Sequence, residues 1–330
     1  IDCEQIIAQV FTSGSTGVPE PHVKRWGSLV RNVRAEAERL GVTPDHAILG
    51  TVPAQHMYGL ESTVLMPLQS GGAMHAIRPF YTADICAELE ALPRPRVLVT
   101  TPYHLRTLLA EQPALPTIDL LLSATAPLSQ ELAVEAETRF AAPLFEIYGC
   151  TETGQIASRR TTSGPIWQTF SGVRLRSEGE AVWAEGGHIE VPTPLSDVIE
   201  LVEADPTRFL LHGRHANLVN IAGKRASLGY LNYQLSAIPG VRDGVFILPP
   251  DDDDGAVGGV RRLIALVVAP ALTPAALMQA LRGRIDPVFL PRPLLFVDAL
   301  PRNATGKLLD HATRALLASL RSQTATGIRA

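Results

Sequence analysis

Short apolar runs alternate with amphipathic stretches of helical period over the first two-thirds of the chain. The apolar runs are bounded by glycine, proline or polar turn residues, which is typical of buried strands. They cover residues 6–11, 47–52, 73–77, 97–100, 118–122 and 144–147. Helices are predicted at residues 26–40, 83–92, 103–111 and 129–140, the first ended by Gly41 and the last capped by Ser129. This alternation predicts an α/β fold, with a mostly parallel sheet covered by helices.

The pattern changes after about Ser158. Residues 163–194 are rich in glycine, threonine, glutamate and tryptophan and contain short alternating runs, which predicts a small antiparallel subdomain. From residue 214 onward, strands at 245–248, 263–268 and 294–297 and helices at 274–281 and 311–320 predict an α+β unit. We therefore expect two domains, residues 1–213 and residues 214–330.

The composition indicates a folded protein with a sizeable core. The chain has 330 residues, of which 46% are hydrophobic and 19% charged, and this balance excludes intrinsic disorder as its main state. The longest apolar run, residues 263–272, is interrupted by Pro270, so we expect no membrane span. Cys3, Cys86 and Cys150 fit neither a disulfide framework nor a metal site. We therefore expect a cytoplasmic protein without a secretory leader.

Charge is distributed unevenly along the chain. Residues 214–330 carry 14 basic and 8 acidic residues, a net charge of +6, whereas residues 1–213 carry 15 basic and 25 acidic residues, a net charge of −10. This asymmetry indicates either a polyanionic partner for the C-terminal part or an ordinary solvated surface. The four aspartates at residues 251–254 are interpreted as a solvated hairpin tip, because they lack the alternating ligands of a calcium loop.

Two glycine- and hydroxyl-rich segments follow predicted strands. Residues 11–19 (FTSGSTGVP) combine glycines, which let backbone N–H groups converge, with hydroxyl donors, and so predict a phosphate-binding loop between a strand and a helix. It differs from the P-loop signature, because no lysine follows Gly17. Residues 146–154 (EIYGCTETG) would lie at the carboxyl edge of the sheet, where Glu152 can hold Mg²⁺ and Thr151 can donate to a phosphate. A plain polar turn is the alternative for each segment.

Two further motifs lie in the C-terminal third. Gly213-Arg214 precedes residues 220–225 (NIAGKR), and residues 301–307 (PRNATGK) place a lone Lys307 after Gly306. Each motif alone also fits a polar surface loop.

Taken together in this order, the motifs resemble those of the adenylate-forming superfamily of acyl-CoA synthetases, peptide-synthetase adenylation domains and luciferases. Residues 12–19 resemble its phosphate loop, residues 123–128 (SATAPL) its S-G-G-A-P-L segment, and residues 148–152 its Y-G-x-T-E motif. Residues 213–225 resemble G-R-x-D-D-x-x-x-x-x-G-x-R, and residues 301–307 resemble the P-x-x-x-x-G-K ending. The resemblance covers roughly residues 10–309.

The resemblance implies an ATP site assembled from all of these motifs. Thr151 would contact the α-phosphate, Glu152 would hold Mg²⁺, and Lys307 would bridge the substrate carboxylate and the α-phosphate. His56, in the segment PAQHMYG, would be the gate beside the acyl pocket, and the Tyr148 ring would stack on adenine. The residues implied in binding ATP or AMP, with the last two at the ribose, are Thr12, Ser13, Gly14, Ser15, Thr16, Gly17, Ala124, Thr125, Tyr148, Gly149, Asp197 and Arg214.

The resemblance also implies a two-step reaction. ATP and Mg²⁺ would convert a carboxylic acid to an acyl adenylate, and the phosphopantetheine thiol of an acidic acyl carrier protein, or CoA as the alternative, would then take the acyl group. The segments STGVPEPHVKRW and HMYGLE resemble ligases of bacterial aryl-polyene and xanthomonadin pigment clusters, which favours a 4-hydroxybenzoate-type aromatic acid. A nucleotide-binding pseudoenzyme and a P-loop phosphotransferase are the rival classes. No nucleic-acid partner is expected.

The sequence departs from the family pattern in three places. The usual P-K-G after the phosphate loop is replaced by residues 19–24 (PEPHVK), so the lysine is absent or displaced to Lys24. Ala216 replaces the hinge aspartate about which the C-terminal domain would rotate between the two steps. The family normally has well over a hundred residues before its phosphate loop, so we expect that part of the substrate wall is missing from this chain.

Lys307→Ala is expected to abolish adenylate formation but to spare thioester formation from a supplied acyl adenylate. The physical reason is that Lys307 neutralises charge only while the carboxylate attacks the α-phosphate. The measurement compares ATP–pyrophosphate exchange with acyl transfer from the synthetic adenylate. Equal loss of both half-reactions in a folded variant would contradict the assignment.

Overall fold

The computed structural model describes residues 1–13, 19–112, 114–179, 181–214, 218–221, 223–249, 262–302, 308 and 310–325. The chain divides into two compact units, Ile1–His215 and Ala216–Ala330. Each unit has its own hydrophobic core. Within the described residues, every helix is too short or too polar to cross a lipid bilayer.

The first unit is dominated by β-structure. Its described strands are β1 (Ile6–Ser13), β2 (Pro19–Arg25), β3 (Ala47–Gly50), β4 (Ala73–Met74), β5 (Arg96–Thr100), β6 (Leu120–Ser123), β7 (Leu144–Cys150), β8 (Gly154–Arg160), β9 (Trp167–Thr169), β10 (Val173–Glu178), β11 (Ala181–Gly186), β12 (Ile189–Leu195), β13 (Asp197–Leu201) and β14 (Arg208–Arg214). Among the described residues, nine of them form one mixed sheet in the order β13-β14-β9-β8-β7-β6-β5-β3-β4. The strands from β4 to β7 are parallel, and the remainder join antiparallel. The predicted α/β class with a mostly parallel sheet is confirmed.

Helices cover both faces of this sheet. They are α1 (Trp26–Leu40), α2 (Met57–Gly59), a π-helix (Leu60–Leu65), α3 (Met66–Ser70), α4 (Thr82–Ala91), α5 (Pro102–Glu111) and α6 (Gln130–Phe140). Because strand side chains alternate, Val99 and Leu122 enter the core shared with α1, whereas Leu98 and Leu121 enter the core shared with α4, α5 and α6. The predicted caps are present: Gly41 has φ of 69°, and Ser129 Oγ accepts from Leu132 N at 3.1 Å.

The N-terminal strand is where the prediction is wrong. The strand at residues 6–11 does not join the parallel sheet; within β1 it pairs antiparallel with β2, and Ser13 lies opposite Pro19. The sequence also predicts a helix directly after the glycine-rich loop, whereas the chain is extended from Pro19 to Arg25 and the helix begins at Trp26. Pro19 and Pro21 cause this difference, because a proline disfavours helical backbone at the residue before it and lacks an N–H donor. The glycine-rich loop therefore connects two antiparallel strands.

The antiparallel subdomain predicted after Ser158 is the three-stranded sheet β10-β11-β12. In β10 and β11, alternate residues are buried, including Val173, Leu175 and Val182. They pack with Ile156 and Phe209 of the large sheet, so the subdomain extends the same unit rather than forming a separate core.

The second unit is a small α+β structure. Its described elements are β15 (Leu218–Ile221), β16 (Lys224–Ser227), α7 (Leu228–Ser236), β17 (Asp243–Ile247), β18 (Ile264–Val268), α8 (Pro274–Arg282), β19 (Leu294–Phe296) and α9 (Asp310–Ala325). β18 pairs antiparallel with β17 and parallel with β19. Helix α7 was not anticipated from the sequence, although Ser227 caps it by accepting from Tyr230 N at 3.0 Å.

Candidate functional site

Two of the expected nucleotide-binding side chains meet at the edge of the large sheet. The Tyr148 hydroxyl, on β7, donates to Asp197 Oδ2 at 2.8 Å. Asp197 begins β13 and lies directly opposite Arg214 in the neighbouring strand. The Tyr148 ring packs against Trp167 and Phe209, with both centroids 5.7 Å away. The structure therefore brings together the backbone positions of three residues that are far apart in the sequence, although the side chain of Arg214 lies outside its described part.

The turn between β7 and β8 carries Thr151 and Glu152. A β-bulge begins it, where the strand register shifts between Tyr148 and Gly149. A Cβ atom on Gly149 would lie 2.2 Å from the Gly154 carbonyl oxygen, so only glycine fits at this position. Gly154 has φ of 77°, a left-handed conformation that favours glycine. These two glycines set the tight path of the turn.

Buried side chains from other elements form hydrogen bonds to the backbone of this turn. The Lys24 ammonium donates to the carbonyl oxygens of Thr151 and Glu152, the latter at 3.2 Å. His188 Nε2 lies 2.9 Å from the carbonyl oxygen of Thr153. Burial lowers the pKa of His188 to about 4, so a neutral ring donates this hydrogen bond. Three consecutive carbonyl groups are thus satisfied by side chains from other elements.

The Glu152 carboxylate lies on the outer side of the turn, where 43% of its side chain is exposed. Partial burial opposes its ionisation, but hydrogen bonding from the Cys150 thiol and the charges of His22 and Lys24 outweigh that effect and lower the pKa of Glu152. His22 Nε2 is 3.9 Å from Glu152 Oε1. An ionised, partly exposed carboxylate suits a Mg²⁺ ion whose other ligands are waters and substrate phosphates. Among the described residues there is no group of three or more potential metal ligands.

Glu36 and Glu61 form the deepest part of the same region. Ser62 Oγ donates to Glu36 at 2.6 Å, and the Gln155 amide, oriented by its hydrogen bonds, donates to the same carboxyl at 2.9 Å. Asn32 Nδ2 donates to Glu61 at 2.9 Å. Burial and, to a smaller extent, the charge of Glu61 raise the pKa of Glu36 to about 8. Burial also raises the pKa of Glu61, although the charge of Lys24 opposes this shift. Glu36 is therefore protonated at neutral pH.

The remaining expected site residues lie at separate positions in the fold or outside its described part. Ala124 and Thr125 follow β6 at the same carboxyl edge, and Thr125 has φ of 77°, which is a strained conformation for a β-branched residue. His56 caps α2, where its Nδ1 accepts from Tyr58 N at 3.3 Å. Outside the described part of the chain lie the side chains of Thr12 and Ser13 and the whole of Gly14, Ser15, Thr16, Gly17, Ala216 and Lys307. The aspartates at 251–254 lie outside it as well.

The family follows from comparison of this chain with known proteins. Residues 1–231 match the AMP-binding enzyme family, a span that contains the expected site residues other than Lys307. The chain belongs to the AMP-binding enzyme family. This finding agrees with the superfamily resemblance inferred from the motifs. The narrower likeness to pigment-cluster ligases stays a prediction.

Among AMP-binding enzymes, the chain is similar to ligases that act on aromatic acids. It is 31% identical over 305 residues to a 4-coumarate–CoA ligase of Rhodobacter capsulatus, covering 91% of this chain and 74% of that protein. It is 26% identical over 356 residues to a 3-hydroxybenzoate/4-hydroxybenzoate–CoA ligase of Thauera aromatica, covering 93% and 66%. The crystal structure of ATP-bound MatB from Rhodopseudomonas palustris superposes with a TM-score of 0.79 at 21% identity, covering 97% and 70%, and shows the shared fold. The chain spans about two-thirds to three-quarters of the length of these proteins.

Sequence reasoning did not find the buried supports of this candidate site. Glu36 lies on the apolar stripe of α1, three residues after Val33, and Glu61 interrupts an apolar segment. A charged residue on an otherwise apolar helical face is a signal of a buried, partnered group. That signal was available for both glutamates, but neither of their partners, Gln155 and Lys24, could be identified from spacing.

Glu36→Gln is expected to flatten the pH dependence of the protein's stability. Because the pKa of Glu36 rises from 4.5 in the unfolded chain to about 8 in the folded protein, its stabilising contribution is complete below pH 4.5. It declines as pH rises towards 8, by up to about 1.4 kcal/mol per pH unit. Glutamine retains the hydrogen-bonding shape of the protonated acid and removes this decline. Urea unfolding of both proteins at pH 5, 6.5 and 8 measures how the free energy of unfolding depends on pH.

The matched control is Glu38→Gln, on the exposed side of the same helix. This variant should keep the wild-type slope of stability against pH. Identical slopes for Glu36→Gln and wild type would contradict the buried, protonated state of Glu36.

Proposed function

We propose that this protein is an ATP-dependent ligase that activates a hydroxylated aromatic acid as its acyl adenylate and then transfers the acyl group to the thiol of CoA. Membership of the AMP-binding enzyme family supports the first step. The 4-coumarate and hydroxybenzoate ligases to which the chain is similar support an aromatic acid as substrate and CoA as acceptor.

The observation that carries the proposal is the convergence of Tyr148, Asp197 and the backbone of Arg214. The hydroxyl of Tyr148 and the register of β13 on β14 put an aromatic ring, a carboxylate and a basic residue's backbone next to one another. An aromatic ring suits a purine, and a carboxylate suits the paired hydroxyl donors of a ribose. The Thr151–Glu152 turn follows Tyr148 on the same strand end, which suits phosphates that leave the ribose in that direction.

In the first step, the substrate carboxylate oxygen forms a bond to the α-phosphorus of ATP, and the bond from that phosphorus to the pyrophosphate oxygen breaks. Negative charge increases on the phosphate oxygens, and Thr151 and Lys307 donate hydrogen bonds to these oxygens. Glu152 would hold Mg²⁺, which supplies charge neutralisation on the phosphates. Asp197 and Arg214 fix the ribose, and so keep the α-phosphorus in place for attack.

In the second step, the thiol sulfur attacks the carbonyl carbon of the acyl adenylate. The carbon–sulfur bond forms, AMP leaves with the phosphate oxygen, and the thiol proton is lost to solvent. Tyr148 and Asp197 retain AMP during this exchange. His56, at the start of α2, is the expected gate beside the acyl pocket.

A carrier protein is the competing thiol acceptor, because the C-terminal part of the sequence is basic. The net charge of +6 already includes the aspartates of that part, but two of its cations are engaged within the protein, since Arg302 makes two hydrogen bonds of 2.7 Å to Asp243 and Lys224 pairs with Asp286. The relatives named above use CoA. We therefore favour CoA over a carrier protein.

The wild-type protein is expected to catalyse ATP–pyrophosphate exchange with 4-hydroxybenzoate and 4-coumarate, and to form their CoA thioesters. Octanoate is the aliphatic control, and an acidic holo-acyl carrier protein is the competing acceptor. Thioester formation on the carrier with higher kcat/KM than on CoA would overturn the choice of acceptor. Binding of ATP without exchange for any acid would instead support a nucleotide-binding pseudoenzyme.

Glu152→Gln is expected to raise the Mg²⁺ concentration needed for half-maximal exchange, with little change in the KM for the acid. The amide is a much weaker ligand for a hard cation than the carboxylate it replaces. The measurement is a Mg²⁺ titration of exchange at saturating ATP, with the exposed Glu131→Gln as control. A variant that loses acid binding while its Mg²⁺ titration stays at the wild-type position would show that Glu152 has another role.

A further inference from the structure

Lys24 reaches from the hairpin to a turn that is distant in sequence. It lies next to the end of β2, the strand that leads away from the glycine-rich loop. Its ammonium donates to the backbone carbonyls of Thr151 and Glu152, which are 127 and 128 residues further along the chain. Only 8% of the residue is exposed. The sequence left open whether Lys24 is a displaced phosphate-loop lysine, but its ammonium is engaged by protein carbonyls.

An ammonium group in this position requires its partners. Lysine is almost never buried without them, because removing the charge from water is costly. Burial lowers the pKa of Lys24, and the charges of Glu61 and Glu152 oppose that shift. A charge-assisted hydrogen bond is about twice as strong as a neutral one, so the two carbonyls are held firmly. Fixing the two peptide groups on either side of the Glu152 Cα also fixes the direction in which the Glu152 side chain leaves the backbone.

The rest of the turn is held in the same way. His188 bonds the carbonyl of Thr153, and the backbone of Gly154 packs closely against Asn32 and Glu61. The carbonyl groups of residues 151–153 therefore bond to buried side chains, whereas the Glu152 carboxylate is on the exposed side. The π-helix that contains Glu61 is an uncommon structure that often occurs at functional sites.

We propose that Lys24 is a positioning residue: its buried ammonium holds the backbone of the Thr151–Glu152 turn so that the Glu152 carboxylate faces the nucleotide, and it does not itself bind phosphate. This inference rests on the proposed function, because it assigns a support to the same site. The two hydrogen bonds of Lys24 join the hairpin to the turn.

The test uses Lys24→Met, the double variant Lys24→Met/Glu61→Gln, and Arg25→Met as the matched control. Arg25 is the next residue on β2, is more exposed, and pairs with Glu190 at 2.7 Å. We expect Lys24→Met to lose about 10²-fold in kcat for exchange, as is typical when reacting groups shift by about 1 Å, and to need more Mg²⁺. The KM for the acid should change little, and Arg25→Met should resemble wild type.

The double variant separates positioning from simple charge pairing. Removing both charges leaves neither one buried and unpaired, so the melting temperature should recover towards that of wild type. The exchange activity should not recover, because the two carbonyls still lack their donor. Recovery of stability and activity together would overturn the proposal. So would a rise in the KM for ATP with an unchanged Mg²⁺ requirement, because that result indicates a direct phosphate contact.

Amide hydrogen exchange of residues 151–154 supplies a readout that does not depend on catalysis. The turn should exchange faster in the double variant than in wild type and Arg25→Met at the same temperature. Equal exchange in all three proteins would refute the positioning role. If wild type shows no ligase activity but the turn still loosens in the double variant, the proposed function fails and the support by Lys24 stands.

Discussion

The buried ionisable groups between α1, the π-helix and the turn after β7 are the constraint on which this site depends. Lys24, Glu36 and Glu61 are all removed from water, and each needs hydrogen-bond partners within reach. Those partners come from separate elements: Ser62 and Gln155 for Glu36, and the turn carbonyls for Lys24. The path of the β7–β8 turn therefore cannot be changed without leaving a buried polar group unsatisfied.

This constraint determines where the polar side chains of the candidate site lie. The parallel strands end at one edge of the sheet, and the loops after β6 and β7 carry Thr125 and Glu152 there. The backbone carbonyls of Thr151, Glu152 and Thr153 bond to buried side chains, whereas the Glu152 carboxylate is exposed on the outer side of the turn. Asp197 is supplied by β13, which reaches Tyr148 only because the sheet continues antiparallel beyond β8. The antiparallel extension is thus part of the candidate nucleotide site as well as of the fold.

Sequence patterns predicted the parts of the fold that depend on local periodicity. The parallel strands contain short apolar runs, and α1 and α6 have recognisable caps at Gly41 and Ser129, so both were found. The hairpin formed by β1 and β2 was missed because its first strand resembles the start of a βαβ unit. The two prolines in β2 carried the contrary signal, but pairing between strands is a non-local property.

The candidate site also contains residues that the sequence predicts and residues that it does not. Residues such as Tyr148 and Glu152 stand in motifs with reactive side chains after a strand, and such motifs can be found in one sequence. The supports of the site could not be found in this way, because the roles of His188 and Lys24 depend on the carbonyl groups that they contact, and those contacts are not visible in the sequence.

Protonation of the buried Glu36 has a consequence for calorimetry. Unfolding at neutral pH releases that proton to the solvent, so the measured enthalpy of unfolding will include the heat of ionisation of the buffer that accepts it.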